Sequence, residues 1–378
     1  MQRREVEHVL IILISVLFLA WVNGANDNFK GVATLLGAGV TDYRRALAWG
    51  TLATGLGGIA AVWLGQDLLS RFTGRSLLAQ PAWQMSTLVV VAGLAAATTV
   101  AMATRLGMPV STTHAFIGGL IGAGLTRASH LQWGELVRAF LLPLLLSPIL
   151  AMIITLSLYP LFRWGRHRLG IIKQSCVCVG KSSVELLPAE AAALVRTVPL
   201  EIRVASTSQC REIYAGRLLG LPAEKVLTAL HYLSAGLVSF ARGWNDTPKI
   251  AALLIISPVF QARPSLALLI VAGVMAAGGW LMAERVAETL SHKITPMNAG
   301  QGFTANLTAS SLVLLASWYG LPVSTTHVSG GSLFGLACLT GRGQPGIIAS
   351  IILSWMFTLP VAMTCSFCMG VAWSCLCG

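Results

Sequence analysis

Two short motifs, each present twice, hold the residues able to do chemistry. Gly24-Ala25-Asn26-Asp27-Asn28-Phe29-Lys30 is matched by Gly243-Trp244-Asn245-Asp246-Thr247-Pro248-Lys249, with Gly, Asn, Asp and Lys at identical spacing. Gly107-Met108-Pro109-Val110-Ser111-Thr112-Thr113-His114 is matched by Gly320-Leu321-Pro322-Val323-Ser324-Thr325-Thr326-His327, identical at seven of eight positions. The offsets are 219 and 213 residues, so order and separation are both kept, and the chain is an internal duplication.

The chain has only four aspartates, and Asp27 and Asp246 follow strongly apolar segments. A carboxylate at membrane depth costs about 2.5–3.5 kcal/mol or more, and such a residue faces a cavity or marks a pathway. The alternative, a carboxylate capping a broken helix, is disfavoured by its duplication. Gly-x-Asn-Asp suits a helix break, because Gly tolerates unusual backbone angles and Asn and Asp bond freed backbone groups; Pro248 is expected to strengthen the second break. Lys30 and Lys249 lie three residues beyond each Asp, on the same helical face, and a buried lysine needs such a partner. Arg242 adds positive potential. Pro-Val-Ser-Thr-Thr-His reads as a helix start: proline suits the first turn, a hydroxyl caps it, and the free amides form an anion site. Well-capped helices bonded to their neighbours are the competing account. His114 and His327 read as packed histidines rather than proton relays.

The elements that must position these residues follow from composition. Of 378 residues, 55% are hydrophobic and 11% charged, with a mean hydropathy of +0.74, where a soluble domain carries about 25% charged residues. Apolar sequence suffices for about ten segments of roughly 20 residues each, and runs such as 141–161 are apolar on every face, which excludes a β-barrel. The expected fold is an all-α polytopic membrane protein. The segment 6–22, behind Arg3 and Arg4, reads as membrane-spanning rather than as a cleaved leader, since the motif at its end recurs.

The apolar segments correspond in order: 6–40 with 226–261, 46–65 with 264–283, 85–104 with 303–319, 109–126 with 322–340 and 134–162 with 346–373. Each half has five, or three plus a re-entrant hairpin. Either number is odd, so the halves are predicted to be inverted-topology repeats with broken helices and re-entrant half-helices. The organisation is a first repeat over 1–162, a hydrophilic loop over 163–225 and a second repeat over 226–378. Within the loop, 185–196 and 223–235 have helical composition. The formal charge is +12, and nine basic residues fall in 163–217, which places that loop on the cytoplasmic side. No basic run is interleaved with aromatics, so nucleic acid is not an expected partner. Cys176 and Cys178 lie in the loop with no histidine at zinc-ligand spacing, and Cys365, Cys368, Cys375 and Cys377 near the C-terminus read as packing residues or lipidation targets rather than as a metal or redox site.

Both duplicated motifs resemble those of the inorganic phosphate transporter (PiT) family of sodium- or proton-coupled permeases, whose relatives include sulfate permeases; the resemblance spans both halves and omits the loop. It implies secondary active transport of inorganic phosphate by alternating access in a multi-pass protein of the bacterial inner membrane. A sulfate or other oxyanion permease is the alternative, with an anion channel or membrane enzyme behind it. By resemblance, Asp27, Asp246, Ser111, Thr112, Thr113, Ser324, Thr325 and Thr326 surround the oxyanion, and Asn26, Asn245 and Gln301 help bind coupling cations. The family continues the Asp motif with Val-Ala-Asn-Ala, placing Asn where this chain has Lys30 and Lys249. An ammonium group can occupy a cation's place, so these lysines join the expected substrate site and are expected to replace bound sodium, leaving protons or anion exchange to drive transport. No metal, organic cofactor or catalytic residue is expected; the partners are the oxyanion and membrane lipid, with a homodimer permitted.

Overall fold

The computed structural model describes residues 2–73, 82–126, 132–174, 178–179, 202–203, 213–218 and 220–377. In chain order the helices are α1 (Gln2–Asp27), α2 (Ala33–Gly37), α3 (Tyr43–Leu64), α4 (Gln66–Phe72), α5 (Ala82–Arg105), α6 (Thr112–Thr126), α7 (Trp133–Glu135) and α8 (Leu142–Arg168), followed by α9 (Ala223–Leu254), α10 (Pro258–Gln261), α11 (Pro264–Met282), α12 (Glu284–Glu288), α13 (Ala299–Trp318), α14 (Thr325–Thr340) and α15 (Pro345–Cys377). π-helical turns precede α8 at Leu136–Leu141 and follow α12 at Thr289–Lys293. Between α8 and α9 the described loop residues form three antiparallel two-stranded pairs: β1 (Ile172–Gln174) with β4 (Ile213–Ala215), β2 (Cys178–Val179) with β3 (Ile202–Arg203), and β5 (Arg217–Leu218) with β6 (Leu221–Pro222). The expected loop helix over 223–235 is the start of α9, while that over 185–196 lies outside the described residues.

This is an integral, multi-pass membrane protein whose regular structure is helical apart from the three short strand pairs between α8 and α9. Ten principal helices, α1, α3, α5, α6 and α8 in the first half and α9, α11, α13, α14 and α15 in the second, match the ten apolar segments in order, but they are not alike. Among the described residues, six spans are long and apolar enough to cross a bilayer: Val9–Asp27, Tyr43–Leu64, Thr87–Arg105, Trp133–Arg168, Pro264–Met282 and Pro345–Cys375. α9 lacks that apolarity because it buries Arg242, Asn245, Asp246 and Lys249. α13 likewise buries Thr304, Asn306, Thr308 and Ser310. α6 and α14 have only 15 and 16 residues, about 22–24 Å of helix against a hydrocarbon core of about 30 Å.

The packing is reciprocal between the halves. α1 packs on α11 and its counterpart α9 on α3; α6 packs on α15 and α14 on α8; within each half the first helix packs on the third, α1 on α5 and α9 on α13. In α8 and α15, 28% and 22% respectively of the most apolar window is buried, so the last helix of each half faces lipid. Cys338, Cys365, Cys368 and Cys375 are unpaired, and among the described residues no three metal-ligating side chains cluster.

The Asp motifs depart from expectation in one half. In the first half the chain does break: α1 ends at Asp27, tight turns follow with Lys30 N–H bonded to Asp27 O at 3.1 Å and Val32 N–H to Phe29 O at 3.1 Å, and α2 begins at Ala33. In the second half α9 runs unbroken through Asn245, Asp246 and Pro248 to Leu254. Proline's ring fixes φ in the helical range and removes a single N–H, which does not end a helix packed on all sides. The motif glycines serve close approach rather than bending. A Cβ on Gly24 would strike the backbone carbonyl of Met275 in α11, and one on Gly243 that of Thr54 in α3. Left-handed glycines do appear at the turns into the hydroxyl motifs, Gly107 at φ 70° and Gly320 at φ 63°, where a side chain would be strained.

Gly243→Ala should therefore destabilise by about 1–3 kcal/mol through overpacking. Gly55→Ala in α3, whose new methyl group meets nothing within 4 Å, should match or exceed wild type. Thermal unfolding of the two variants in detergent checks this; equal midpoints would refute the close-approach role.

Candidate functional site

The last turns of α1 supply Asn23, Asn26 and Asp27, the turn beyond supplies Lys30, and α9 supplies Arg242, Asn245, Asp246 and Lys249; all are buried. The turns from α5 to α6 and from α13 to α14 bring the hydroxyl motifs onto these residues. In the first cluster the Lys30 ammonium pairs closely with Asp27 and donates equally closely to the Thr326 hydroxyl. It also reaches the Val110 carbonyl at 3.2 Å and Asn26 Oδ1 at 3.3 Å. In the second, Lys249 Nζ donates to the Val323 carbonyl at 2.6 Å, to Thr113 Oγ1 at 3.3 Å and to Asp246 Oδ1 at 3.4 Å, and lies 5.8 Å from the Phe72 ring centroid.

The lysines cross. Each meets the valine carbonyl of its own half and the third hydroxyl of the other half's motif, so Lys30 depends on Thr326 and Lys249 on Thr113. Arg242 joins the halves as well: it donates to Asn23 Oδ1 at 2.7 Å and to Asn28 Oδ1 at 3.2 Å, and its Nε lies 3.7 Å from Asp246 Oδ2. Asp246 is thereby shared between two cations, which lengthens its pairing with Lys249 relative to that of Asp27 with Lys30.

The other expected site residues separate by role. Thr112 Oγ1 accepts from Asn23 Nδ2 at 3.0 Å, and Thr325 Oγ1 donates to Asp246 Oδ2 at 3.5 Å, so four threonines face the charge clusters. Ser111 and Ser324 are turned away as N-caps, their hydroxyls accepting from His114 N–H and His327 N–H at 3.2 Å. Asn26 and Asn245 fasten the hairpin tips. Asn26 Nδ2 donates to Thr104 Oγ1 at 2.9 Å and Met108 O at 3.0 Å, and its Oδ1 accepts from Val110 N–H at 3.1 Å. Asn245 Nδ2 donates to Val323 O at 3.2 Å, and its Oδ1 accepts from Ser317 at 3.2 Å. Gln301 is not brought to these clusters: its side chain forms the capping box of α13 with Asn298 and lies 3.4 Å from the Tyr159 hydroxyl. His114 and His327 are packed, as expected, ring on ring at 4.5 Å, with His327 also 4.2 Å from Trp355.

Asn23 escaped the sequence reading. Its signal was present, since the 219-residue offset that aligns the Asp motifs also aligns Asn23 with Arg242, and these two counterparts bond each other.

Two carboxylates face three cations at this centre, Asp27 and Asp246 against Lys30, Lys249 and Arg242, so one positive charge is left over where the N-termini of α6 and α14 point. That combination favours an anion. The space is small: a cavity of about 10 Å³ lies among Asn23, Phe72, Thr112, Thr113, Asp246 and Lys249, room for about one water. The polar side chains around it are buried.

Fold and site together define a multi-pass helical membrane protein built around a buried, net-positive centre. Residues 23–366 match the family model described as the phosphate transporter family, and the chain belongs to that family. It is 28% identical to a Pyrococcus abyssi protein named "Putative phosphate permease", over 94% of this chain and 95% of the relative. It is 27% identical to the inorganic phosphate transporter 2-1, chloroplastic, of Arabidopsis thaliana, over 93% of this chain and 70% of the relative. A solved structure described as "The sodium-dependent phosphate transporter" superposes with a TM-score of 0.75 over 97% of this chain and 99% of that chain at 21% identity, which establishes the shared fold.

Asp27→Asn strands the Lys30 ammonium in the interior and should cost about 3–5 kcal/mol, whereas Asp27→Asn combined with Lys30→Met removes the charges together and should cost clearly less. Thermal unfolding of the single and double variants tests the pairing; additive losses would refute it.

Proposed function

We propose that this protein is a secondary carrier of inorganic phosphate, and that the buried clusters at the N-termini of α6 and α14 form its anion site. The observation that carries the reading is the surplus positive charge held between those helix ends in a chain of the phosphate transporter family. Threonine hydroxyls, helix amides and the two lysines replace the anion's water. Phosphate rather than sulfate fits the carboxylates, because monohydrogen phosphate can donate a hydrogen bond to Asp27 or Asp246 and sulfate has no proton to give. The protein is read as a carrier and not as an enzyme, resident in a bacterial inner membrane with the loop between α8 and α9 cytoplasmic.

Alternating access is supported by the odd number of principal helices per half and by the reciprocal packing, both of which suit inverted repeats rocking about a central site. In that scheme the hairpins α5–α6 and α13–α14 enter from opposite faces and meet tip to tip. A cavity of about 10 Å³ is too small for a tetrahedral oxyanion, so this geometry is the occluded state, and loading requires each lysine to leave its valine carbonyl. Lys30 and Lys249 occupy the place of coupling cations, which makes transport sodium-independent and leaves protons or counter-anion exchange as the driving term.

Counterflow of labelled phosphate into proteoliposomes preloaded with unlabelled phosphate is expected to proceed without sodium and to resist sulfate competition. Lys30→Asn with Lys249→Asn should introduce sodium dependence. Complete sodium dependence of both the wild type and the double variant would overturn the role of the lysines. Sulfate exchange without phosphate exchange would overturn the substrate, and saturable uptake without counterflow would overturn the carrier mechanism.

A further inference from the structure

Away from the anion site, a cavity of about 440 Å³ opens where α8 ends and α9 and α13 begin. Its wall is apolar: Phe162 stacks on Phe303 with centroids 5.7 Å apart, and Leu169, Leu227 and Leu230 complete the lining. Its rim is basic, with Arg163 and Arg166 on the last turns of α8. The Arg166 guanidinium lies over the Tyr214 ring at 5.3 Å; Nη2 is 3.3 Å from His167 Nε2, but Nη1 is buried with no hydrogen-bond partner. A buried guanidinium N–H left unpaired is costly, and nothing in the transport reading uses it. Trp164 and Leu161, 59% and 57% exposed, line the cavity's outer edge, and an exposed tryptophan at the end of a membrane helix suits the headgroup level.

We propose that this cavity is a binding site for one anionic glycerophospholipid: an acyl chain lies against Phe162, Phe303 and Leu230, and the headgroup phosphate accepts the free Nη1–H of Arg166. An apolar slot with a basic mouth on the loop side is the pattern of lipid headgroup recognition between membrane helices. A free inorganic anion would leave the apolar wall unused, and a zwitterionic lipid would place its own cation at the arginines. The bound lipid touches Gly300 and Phe303 at the base of the α13–α14 hairpin, beside Gln301, whose amide completes the cap of α13.

The full chain, purified in detergent and incubated with phosphatidylglycerol or phosphatidylcholine, is examined by native mass spectrometry. One phosphatidylglycerol is expected to be retained in preference to phosphatidylcholine. Arg166→Gln should lower its retention about fivefold, the worth of one arginine beside an anionic headgroup. Leu230→Trp, which fills the slot and leaves the arginine, should lower it as well. Lys225→Gln, an exposed charge on α9 outside the cavity, should not, and thermal midpoints certify that each variant is folded. Equal retention of phosphatidylcholine, an equal loss in Lys225→Gln, no loss in folded Arg166→Gln and Leu230→Trp, or displacement of the lipid by inorganic phosphate would each overturn the site.

Discussion

An ion inside a membrane protein has to be matched there, because no water is available to solvate it. Here that constraint falls on five side chains: Asp27 at the end of α1, Lys30 in the turn beyond it, and Arg242, Asp246 and Lys249 in α9. Sequence-local pairing satisfies part of it, since each lysine sits three residues beyond its aspartate. The remaining N–H groups of each ammonium need acceptors that the motif helices cannot supply to themselves. The valine carbonyls and threonine hydroxyls at the hairpin tips supply them, since a helix start is where a chain leaves a carbonyl and a hydroxyl free to be shared. The places where α6 and α14 start follow from the charges they must meet.

Much of this was legible in the residues. The duplicated motifs, their order and the odd number of apolar segments gave the helical architecture and the pairing of Asp27 with Lys30 and of Asp246 with Lys249. The role of the glycines was misread because a glycine before Asn-Asp is compatible with a bend and with a close helix contact alike; the difference lies in α3 and α11, remote in sequence. α9 stayed whole through Pro248 for the same kind of reason, its surroundings outweighing one missing N–H. Ser111 and Ser324 could be told from their neighbouring threonines only by the cap geometry, which orients the first hydroxyl back along its own helix. Gln301 carried a functional expectation from resemblance alone, and its amide is committed to the cap with Asn298.

The crossing of the lysines could not have been read from either half. Lys30 ends on Thr326 and Lys249 on Thr113, so each half completes the other's ion pair. Separating one hairpin from the opposite motif helix strips an acceptor from a buried ammonium, and the two hairpins are therefore energetically coupled through the lysines that both of them touch. Arg242 reinforces this, tying Asn23 to Asp246 across the duplication. A displacement on one side of the centre has to be answered on the other, which is the mechanical requirement for exposing a site to one face at a time.

A tethered cation differs from a dissociable one in what it can drive. A sodium ion that binds beside the anion and leaves with it brings the free energy of its own gradient to the cycle. A lysine ammonium in the same place supplies the electrostatic attraction but stays behind, so it contributes affinity and no net work. It also fixes the charge of the unloaded site: with Lys30, Lys249 and Arg242 set against Asp27 and Asp246, the clusters carry one positive charge without any bound ion. A monovalent anion then neutralises the centre and a divalent one inverts it, while the unloaded centre returns with its positive charge in either case. On the proposed reading the lysines thus trade gradient coupling for a permanently assembled anion site, and for a monovalent anion such as dihydrogen phosphate, exchange of one anion for another, which spares the charged empty centre from reorienting, becomes the cycle with the least electrostatic cost.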